Sequence, residues 1–484
     1  MRNIFTFCLF LSVVYTAHAQ RFQNAQFLTS FSSTEISAAL GIPASYGVDL
    51  YKVVYLTPDF SGQDHQASGL ICIPQAENTS FPLVCYQHGT VNGRNDVPSN
   101  LEGGYQLALA LSAFGYVTCA ADFVGLGDSP GIHGYVHAAT EATAGVDLLL
   151  AAREMSEDEN YPPFYVHDQL FIGGYSQGGH ASMAAHRLIE SEYTDEFNIA
   201  GCAHMSGPYS ISEKMVEFTL GDMEYQTVSY LPWLALSYKA AYPELLKDYE
   251  IEDFFKAEYL DDIYLFRDET IGLSELNSRL SQKLIANVGG VIPKNMLKED
   301  ILNAILTDPT HPFSVALADN DTYDWAPESR TNIYYCEGDD QVTFENAVLA
   351  EAVMKSNGSS TVLALQMDPS FPFDHGQCIS PTLTSVVFFF GSLQQTLTST
   401  DEILAQNQIK TYTDGIQLVT EIPFSGDQKN RKLQVFNSHG QLVLAADCEA
   451  GMKMYDIVQL EPGMYFVNIY DNRGLIHANK FFKN

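Results

Sequence analysis

Long apolar runs are scarce in this chain. Beyond the first twenty residues, no segment reaches the ~18 consecutive apolar residues that a membrane-spanning helix needs, so we expect no stable membrane span. Basic residues are also few, since 25 Lys and Arg face 59 Asp and Glu, for a net charge of −34. Such a chain would be repelled by nucleic acid phosphates and by anionic membrane surfaces. We therefore expect no nucleic acid partner, and the excess acid indicates a well-solvated surface.

Cysteine patterns typical of metal sites are absent as well. The eight cysteines include no Cys-x-x-Cys pair and no His/Cys spacing of a metal site, so we predict no structural metal. Most lie in apolar, strand-like runs, where a free thiol packs as a small hydrophobic group. One disulfide is possible, with Cys378 or Cys448 as candidates. The cysteines expected to be buried free thiols are Cys72, Cys85, Cys119, Cys202 and Cys336.

The first 19 residues have the pattern of a secretory signal peptide. Arg2 supplies a charged start, residues 4–14 form an apolar stretch, and residues 17–19 (Ala-His-Ala) are typical of a cleavage site. The apolar stretch is too short to span a bilayer. We therefore predict that residues 1–19 are removed and that the remaining chain is exported.

Short apolar runs alternate with helical patterns in the domain that we assign to 20–395. This alternation predicts an α/β fold with a mostly parallel sheet covered by helices on both faces. The alternation stops over 212–330, which is helical, acidic and rich in aromatic residues. We interpret 212–330 as a helical cap over the carboxyl ends of the strands, where ligands bind in open α/β sheets. The predicted strands are 52–56, 68–73, 83–86, 116–121, 169–174, 199–204, 332–336 and 362–367, and the predicted helices include 105–114, 141–155, 178–190, 342–356 and 381–390.

The C-terminal part has a different pattern. Short alternating strands and tight turns over 409–484 predict a small β-sandwich that forms a separate domain. The polar residues 396–408 are predicted to be the linker between the two domains.

One apolar run ends in the sequence Gly-Tyr-Ser-Gln-Gly at 174–178, followed by small residues that begin a helix. A Gly-x-Ser-x-Gly sequence between a strand and a helix is typical of a nucleophilic serine, because the glycines relieve crowding at the sharp turn. The same pattern recurs around Ser129, but Pro130 follows that serine and has no N–H to donate to an oxyanion. The sequence therefore predicts Ser176 as the nucleophile and excludes Ser129.

A nucleophilic serine needs a histidine to take its proton and a carboxylate to orient that histidine. In chains with this serine turn, the acid and then the histidine follow the serine. Asp339 and Asp340 follow an apolar strand beyond the cap, and we predict Asp339 as the acid with Asp340 as the alternative. His375 is predicted as the base by elimination, because the later His439 and His477 lie in the C-terminal domain.

Two backbone N–H groups are predicted to bind the oxyanion. One belongs to Gln177, directly after the nucleophile. The other belongs to Thr90, in the loop after the third strand, where Gly89 allows close approach of the backbone. In the same loop we interpret His88 as a packing residue. Asp122, which follows the fourth strand, is interpreted as holding its loop by hydrogen bonds.

Taken in this order, the motifs resemble those of the α/β-hydrolase superfamily, and over 49–395 those of its secretory lipase and esterase branch. The resemblance implies an eight-stranded sheet, an acyl-enzyme intermediate, carboxylic-ester substrates and no cofactor. It rests on residues 88–90 (His-Gly-Thr), Asp122 with the glycine-rich stretch to Ser129, the Ser176 turn, Asp339 with Val342, and His375 with Gly376.

Residues 433–440, 460–467 and 480–483 are similar to the C-terminal sorting domains of cargo proteins of the type IX secretion system of Bacteroidetes bacteria. This resemblance implies the type IX secretion machinery as a partner. It also implies release from the cell or attachment at its surface, with removal of this domain.

We therefore expect a secreted or cell-surface serine hydrolase that cleaves small-molecule or lipid carboxylic esters. One alternative is a serine exopeptidase on the same scaffold, for which an acidic cap would bind the free amine of the substrate. Another is a binding or surface protein whose hydrolase body is inert, although the complete set of candidate triad residues argues against it.

Overall fold

The computed structural model describes residues 20–41, 43–395, 410–413, 416–422, 431–437, 442–448, 451–471 and 474–483. The predicted signal peptide (1–19) and linker (396–408) lie outside the described residues. The domain boundaries stay predictions. Among the described residues, no helix is both long and apolar enough to cross a lipid bilayer.

A nine-stranded sheet forms the centre of the N-terminal part, in the order β1-β2-β3-β5-β4-β6-β7-β8-β9. The six strands β4 to β9 run parallel to one another. The strands β1, β2 and β3 each pair antiparallel with their neighbours. The strands are β1 Phe22–Phe31, β2 Val48–Pro58, β3 Asp64–Pro74, β4 Ser80–Gln87, β5 Val117–Ala121, β6 Tyr165–Tyr175, β7 Asn198–Met205, β8 Thr331–Tyr335 and β9 Val362–Gln366.

The mostly parallel sheet is as expected, but the expected count of eight strands is wrong by one. All eight strands predicted from apolar runs are present, and Phe22–Phe31 adds an antiparallel edge strand beside β2. Most side chains of this strand are exposed or half-buried. Its sequence is therefore too polar to be recognised as a buried strand.

Helices cover both faces of the sheet. Alternate residues of β4 point to opposite faces: Leu83 and Cys85 pack with α3 and α4, whereas Val84 and Tyr86 pack with α2 and α13. Burial on both faces is the reason that the strand sequences are almost continuously apolar. The helices outside the cap are α1 Ser33–Leu40, α2 Tyr105–Ala113, α3 Ala138–Glu157, α4 Gln177–Glu192, α12 Glu345–Ser356 and α13 His375–Gly391.

The last of these helices starts earlier than predicted. The helix predicted from the sequence spans 381–390, with Pro381 as its first residue. Instead Asp374 caps the helix by accepting a hydrogen bond from the N–H of Gln377, whose side chain bonds back to the N–H of Asp374. This capping box places His375 in the first turn and Pro381 inside the helix.

The segment between β7 and β8, for which we keep the name cap, is helical. The buried side chains of α6, α8 and α9 contribute to an apolar core that also includes Tyr135 and Val136, which lie outside the cap. The ring of Trp233 in the cap stacks on Tyr135 outside it, with centroids 4.5 Å apart. The cap helices are α5 Val216–Thr219, α6 Tyr230–Ala241, α7 Ile251–Phe254, α8 Ala257–Arg267, α9 Leu273–Val288, α10 Glu299–Thr307 and α11 Pro312–Asp319.

Two antiparallel sheets form the C-terminal part, in agreement with the predicted β-sandwich. One has the order β10-β11-β14 and the other β13-β12-β15-β16. Leu433 and Val435 of β12 are buried against Val467 and Ile469 of β15 and against Leu418 of β11. The strands are β10 Lys410–Thr413, β11 Gln417–Ile422, β12 Arg431–Asn437, β13 Leu442–Cys448, β14 Gly451–Asp456, β15 Gly463–Asp471 and β16 Gly474–Lys483.

The prediction of a free thiol at Cys336 is wrong, because Cys336 forms a disulfide with Cys378. Cys378 was one of the two candidates for a disulfide, whereas the other, Cys448, is a buried free thiol. The sequence shows no sign of the pairing, since 42 residues separate the two cysteines. The cysteines predicted as buried free thiols that are found so are Cys72, Cys85, Cys119 and Cys202.

Candidate active site

The predicted nucleophile lies on a strained turn between β6 and α4. The backbone of Ser176 has φ 61° and ψ −123°, a conformation that is costly for a residue with a Cβ. A Cβ added at Gly174 would collide with the carbonyl oxygen of Gly178, and one at Gly178 would collide with that of Gln87. Both glycines are therefore required for the turn, as the motif predicted.

The other predicted site residues lie at the same edge of the sheet as Ser176. The loops that carry them follow β4, β8 and β9, which are parallel to β6 and so end at the same edge. Thr90 follows β4, Asp339 follows β8 and His375 follows β9. This edge is where open α/β sheets bind ligands.

The structure distinguishes between Asp339 and Asp340. The Nδ1 atom of His375 lies 2.7 Å from Oδ2 of Asp339, so the carboxylate accepts a hydrogen bond from the imidazole. The other oxygen of Asp339 accepts from the N–H groups of Gln341 and Val342, at 3.0 and 2.8 Å. Asp340 contacts only the backbone of this histidine, by accepting from its N–H at 3.1 Å. Asp339 is therefore the carboxylate positioned to orient the imidazole.

The second nitrogen of His375 is available for proton transfer. Its Nε2 atom is buried and makes no hydrogen bond with any described residue. The hydroxyl of Ser176 is therefore not hydrogen-bonded to Nε2 in this structure. Tyr175 directly precedes the nucleophile, and its hydroxyl donates a hydrogen bond to the backbone carbonyl of His375 at 2.5 Å. This bond connects the serine turn to the segment that carries the histidine. Catalytic hydrogen bonds are often long before substrate binds.

The loop after β4 packs directly on the Ser176 turn. A Cβ built at Gly89 would lie 3.2 Å from the carbonyl oxygen of Tyr175 and 3.6 Å from Cβ of Ser176. Glycine therefore brings the backbone near Thr90 close to the nucleophile. Gln177 is the first residue of α4, so its N–H has no partner within the helix.

His88 and Asp122 make the packing and hydrogen-bond contacts expected of them, and Ser129 forms a hydrogen bond within its own loop. His88 is buried, and its Nδ1 lies 2.8 Å from the carbonyl of Gly89. Asp122 accepts hydrogen bonds from the hydroxyl of Ser68 at 2.5 Å and from the N–H of Ser99 at 3.0 Å. The hydroxyl of Ser129 accepts from the N–H of Gly125 at 2.9 Å, so this serine stabilises its own loop.

The disulfide links the acid and base segments of the candidate site. Cys336 directly follows β8 and precedes Asp339 by three residues, and Cys378 lies in α13 three residues after His375. A covalent bond at this point restricts the separation of the two loops. The sequence does not reveal this contribution, because neither cysteine is adjacent to a candidate site residue.

We expect the free energy of unfolding of a Cys336→Ser/Cys378→Ser variant to be lower by about 2–4 kcal/mol, because a disulfide that closes a loop of this length usually contributes that much stability. We also expect a lower kcat, because Asp339 and His375 then depend on non-covalent contacts alone. Thermal melts and ester hydrolysis with and without reductant measure both effects. The control is Cys72→Ala, at a buried free thiol. A melting temperature and kcat equal to those of this control would contradict the proposed role.

The cap contacts the acid loop through two tyrosines. The hydroxyl of Tyr225 donates to the backbone carbonyl of Gln341 at 3.0 Å, and that of Tyr230 to the side-chain oxygen of the same residue at 2.9 Å. Because the N–H of Gln341 bonds to Asp339, these contacts connect the cap to the acid of the candidate site.

An apolar cavity of about 80 Å³ opens at Ser176 beneath the cap. Gln177 and Val342 also line it, so it begins at the candidate site. Of the described residues that line this cavity, none carries a carboxylate. Its cap residues are apolar for the most part and include Val216, Leu220, Leu231, Leu234, Phe313 and Leu317.

A buried ion pair beside the nucleophile was not expected from the sequence. His180 and Glu141 lie in two of the predicted helices, 178–190 and 141–155, and Nδ1 of His180 lies 2.7 Å from Oε2 of Glu141. Glu141 stands in an otherwise small and apolar stretch of α3. A charged residue in such a helix was the signal that could have revealed the pair.

Among the described residues, one group has the ligand types and the proximity of a metal site: His186, Cys202 and His204, whose ligand atoms lie within 4.8 Å of one another. The two imidazoles contact each other at 3.2 Å, and their other nitrogens contact Glu190 and Ser182 at 2.9 and 2.8 Å. Since each ring nitrogen has a protein partner, hydrogen bonds account for this group without an ion.

The C-terminal residues 416–484 match the family model described as a secretion system C-terminal sorting domain. No curated protein sequence matches the chain. The structure is similar to several solved structures over 77% of the chain. One is the rice cell wall degrading esterase LipA from Xanthomonas oryzae, with 24% identity, a TM-score of 0.67 and 97% of that chain covered.

A protein from Legionella pneumophila described as a hydrolase is 25% identical, with a TM-score of 0.68 and 98% of that chain covered. Lipase A from Candida antarctica is 15% identical, with a TM-score of 0.52 and 84% of that chain covered. These similarities, together with the mostly parallel sheet and its flanking helices, show the fold of the N-terminal part to be that of the α/β-hydrolases.

Proposed function

We propose that this chain, which has the α/β-hydrolase fold and ends in a sorting domain, is a secreted serine hydrolase that cleaves carboxylic esters. The observation that carries the proposal is the Asp339–His375 contact at 2.7 Å, with the free Nε2 of the imidazole at the sheet edge where Ser176 occupies its strained turn. The esterase and lipase activities of the similar structures agree with it.

In the proposed mechanism, Oγ of Ser176 attacks the ester carbonyl carbon while Nε2 of His375 takes the hydroxyl proton. Asp339 holds the imidazole through Nδ1–H and stabilises the imidazolium that forms. The carbonyl oxygen becomes an oxyanion, which accepts hydrogen bonds from the N–H groups of Gln177 and Thr90. His375 then gives the proton to the departing alkoxide, leaving the acyl group on Ser176. A water molecule repeats the sequence and releases the acid.

The cavity at Ser176 supports an acyl group of limited length. An apolar cavity of ~150 Å³ holds the six carbons of benzene. At the same volume per carbon atom, a cavity of about 80 Å³ holds roughly three or four carbons. We therefore expect kcat/KM on p-nitrophenyl esters to be highest for acetate to butyrate and to fall by about 10-fold or more at octanoate, since the longer chain displaces cap side chains.

Leu234 of the cap lines this cavity, so Leu234→Ala is expected to move the optimum towards longer chains. The control is Leu306→Ala, the same change at an exposed position of the cap. For both variants, kcat/KM is measured on p-nitrophenyl esters of increasing acyl-chain length. A wild-type rate that rises steadily to palmitate, unchanged by Leu234→Ala, would contradict an acyl site in this cavity.

The exopeptidase alternative needs a carboxylate to bind the free amine of the substrate. The cavity lining contains none, so the structure gives this alternative no specific support. A chromogenic aminoacyl anilide assayed beside p-nitrophenyl butyrate separates the two activities. We expect hydrolysis of the ester only.

Export is the second part of the proposal. The match of residues 416–484 to a secretion system sorting domain supports delivery through the type IX secretion machinery. The predicted signal peptide over 1–19 would carry the chain across the first membrane. We propose a protein released from the cell or held at its surface, with the C-terminal domain removed.

A further inference from the structure

We propose that Glu141 and His180 form a buried positioning unit that holds Gln177, and with it the N–H that meets the oxyanion. This inference rests on the proposed hydrolase function. Neither residue touches the reacting atoms, so both act through Gln177. The unit joins α3, which carries Glu141, to α4, which carries His180 and begins at Gln177.

The contacts of Glu141 place it between the other two side chains. Its Oε1 accepts a hydrogen bond from Nε2 of Gln177 at 2.7 Å, and its Oε2 lies 2.7 Å from Nδ1 of His180. All three residues are at most 1% exposed. A buried carboxylate with two donors is held in one geometry, because loss of either donor would leave a buried charge without a partner.

The protonation of His180 follows from its acceptors. Its Nε2 lies 2.8 Å from the carbonyl oxygen of Asn320, which can only accept, and its Nδ1 faces the Glu141 carboxylate. Both nitrogens therefore face an acceptor, an arrangement that favours the doubly protonated ring. Burial alone would lower the pKa of His180, but the hydrogen bond and charge of Glu141, the carbonyl of Asn320 and the charge of Asp321 raise it overall.

The second hydrogen of the Gln177 amide is also engaged. Nε2 of Gln177 lies 2.9 Å from Nε2 of His133, whose Nδ1 donates to the carbonyl of Val124 at 3.0 Å. Burial lowers the pKa of His133 to about 3, so its ring is neutral and can accept. Glu141 and His133 thus hold the amide from two sides, which restricts the rotation of the residue that follows the nucleophile.

The unit extends into the cap through Asn320, which directly follows α11. Its side-chain oxygen accepts from the N–H of Ala138 at the start of α3 at 2.8 Å. Its amide nitrogen donates at 2.8 Å to the hydroxyl of Tyr242, the residue that directly follows α6. His180 is therefore anchored at the junction of the cap with the sheet domain.

The test is a Glu141→Gln variant. An amide keeps the size of the side chain but offers one acceptor oxygen, so either Gln177 or His180 loses its partner. We expect kcat on p-nitrophenyl butyrate to fall about 10- to 100-fold, below the 10²–10³ cost of losing an oxyanion donor outright. KM is expected to change less than threefold, because neither Glu141 nor His180 lines the acyl cavity.

The matched control is Glu190→Gln. Glu190 forms a partly buried pair with His186 in α4, at 2.9 Å, but binds the N–H groups of Glu328 and Ser329 instead of the side chain of Gln177. We expect this variant to lose stability with kcat within threefold of wild type. Equal kcat in the two variants at similar melting temperatures would overturn the positioning role.

A double-mutant cycle tests the route through Gln177. Gln177→Ala removes the amide but leaves the backbone N–H, and we expect a loss of kcat similar to that of Glu141→Gln. The double variant is expected to lose no more than either single variant, since both remove the same restraint. If the losses of kcat multiplied in the double variant, this would contradict the proposal that Glu141 acts through Gln177.

Fluorophosphonate labelling distinguishes failure of this inference from failure of the proposed function. Oγ of Ser176 bonds to phosphorus through a five-coordinate transition state, while the P–F bond breaks to release fluoride and the serine proton passes to His375. The phosphoryl oxygen accepts hydrogen bonds from the oxyanion donors during this step. Labelling of wild type with slower labelling of Glu141→Gln is the expected result. Equal labelling rates overturn the inference alone, whereas an unlabelled wild type overturns the hydrolase function.

Discussion

Replacing Ser176 by alanine is expected to lower kcat for ester hydrolysis by about 10⁶-fold. The reason is that alanine removes the attacking oxygen, so the covalent path through an acyl intermediate is lost and only the oxyanion donors and substrate binding remain. Hydrolysis of p-nitrophenyl butyrate measures the rate. Mass spectrometry of the fluorophosphonate-treated wild type should locate the label on the peptide that contains residue 176.

Ser129→Ala is the matched control for this variant, since Ser129 lies in the other Gly-x-Ser-x-Gly sequence of the chain. Its hydroxyl accepts from the N–H of Gly125, so alanine is expected to destabilise that loop without abolishing turnover. Near-normal hydrolysis by Ser176→Ala would end the proposal of a serine hydrolase. Loss of activity in Ser129→Ala at full stability would show that the wrong serine had been chosen.

Asp339→Asn is expected to lower kcat by about 10⁴-fold, the effect of removing the orienting carboxylate from such a triad. The amide can present N–H groups to Nδ1 of His375, which favours the tautomer that cannot take the serine proton. The carboxylate also accepts from the backbone of Gln341 and Val342, so a melt must show that the loop is intact.

Asp340→Asn separates the two neighbouring acids. Asp340 accepts a hydrogen bond only from the backbone N–H of His375, and an amide oxygen can accept the same bond. We expect kcat within about 10-fold of wild type. If Asp340→Asn caused the larger loss and Asp339→Asn the smaller, the acid would have been assigned to the wrong residue.

Much of the fold could be predicted from local sequence. Strands such as β4 and β6 are buried on both faces, so their apolar runs are conspicuous in the sequence. The edge strand β1 was missed because most of its side chains are exposed or half-buried. Its sequence therefore lacks the continuous apolar run of a buried strand. The start of α13 was misplaced although the sequence contains its signal, the Asp374–Gln377 capping box.

The candidate site could be predicted in part. The Ser176 turn was recognisable because its glycines are needed locally, by neighbours a few residues away. The choice between Asp339 and Asp340 could not be settled, because adjacent carboxylates look alike until a loop conformation points one at His375. The Glu141–His180 pair was missed because two helices that are separate in sequence bring its members together.

From the sequence we could identify the chemical groups of this protein, their order along the chain, and the local segments whose periodicity or glycines require no distant partner. The fold was needed to show which acid contacts His375, that Cys336 meets Cys378, and that a buried glutamate contacts the helix after the nucleophile. Hydrogen bonds and disulfides act over a few ångströms between atoms, whereas these partners lie 36 to 42 residues apart along the chain.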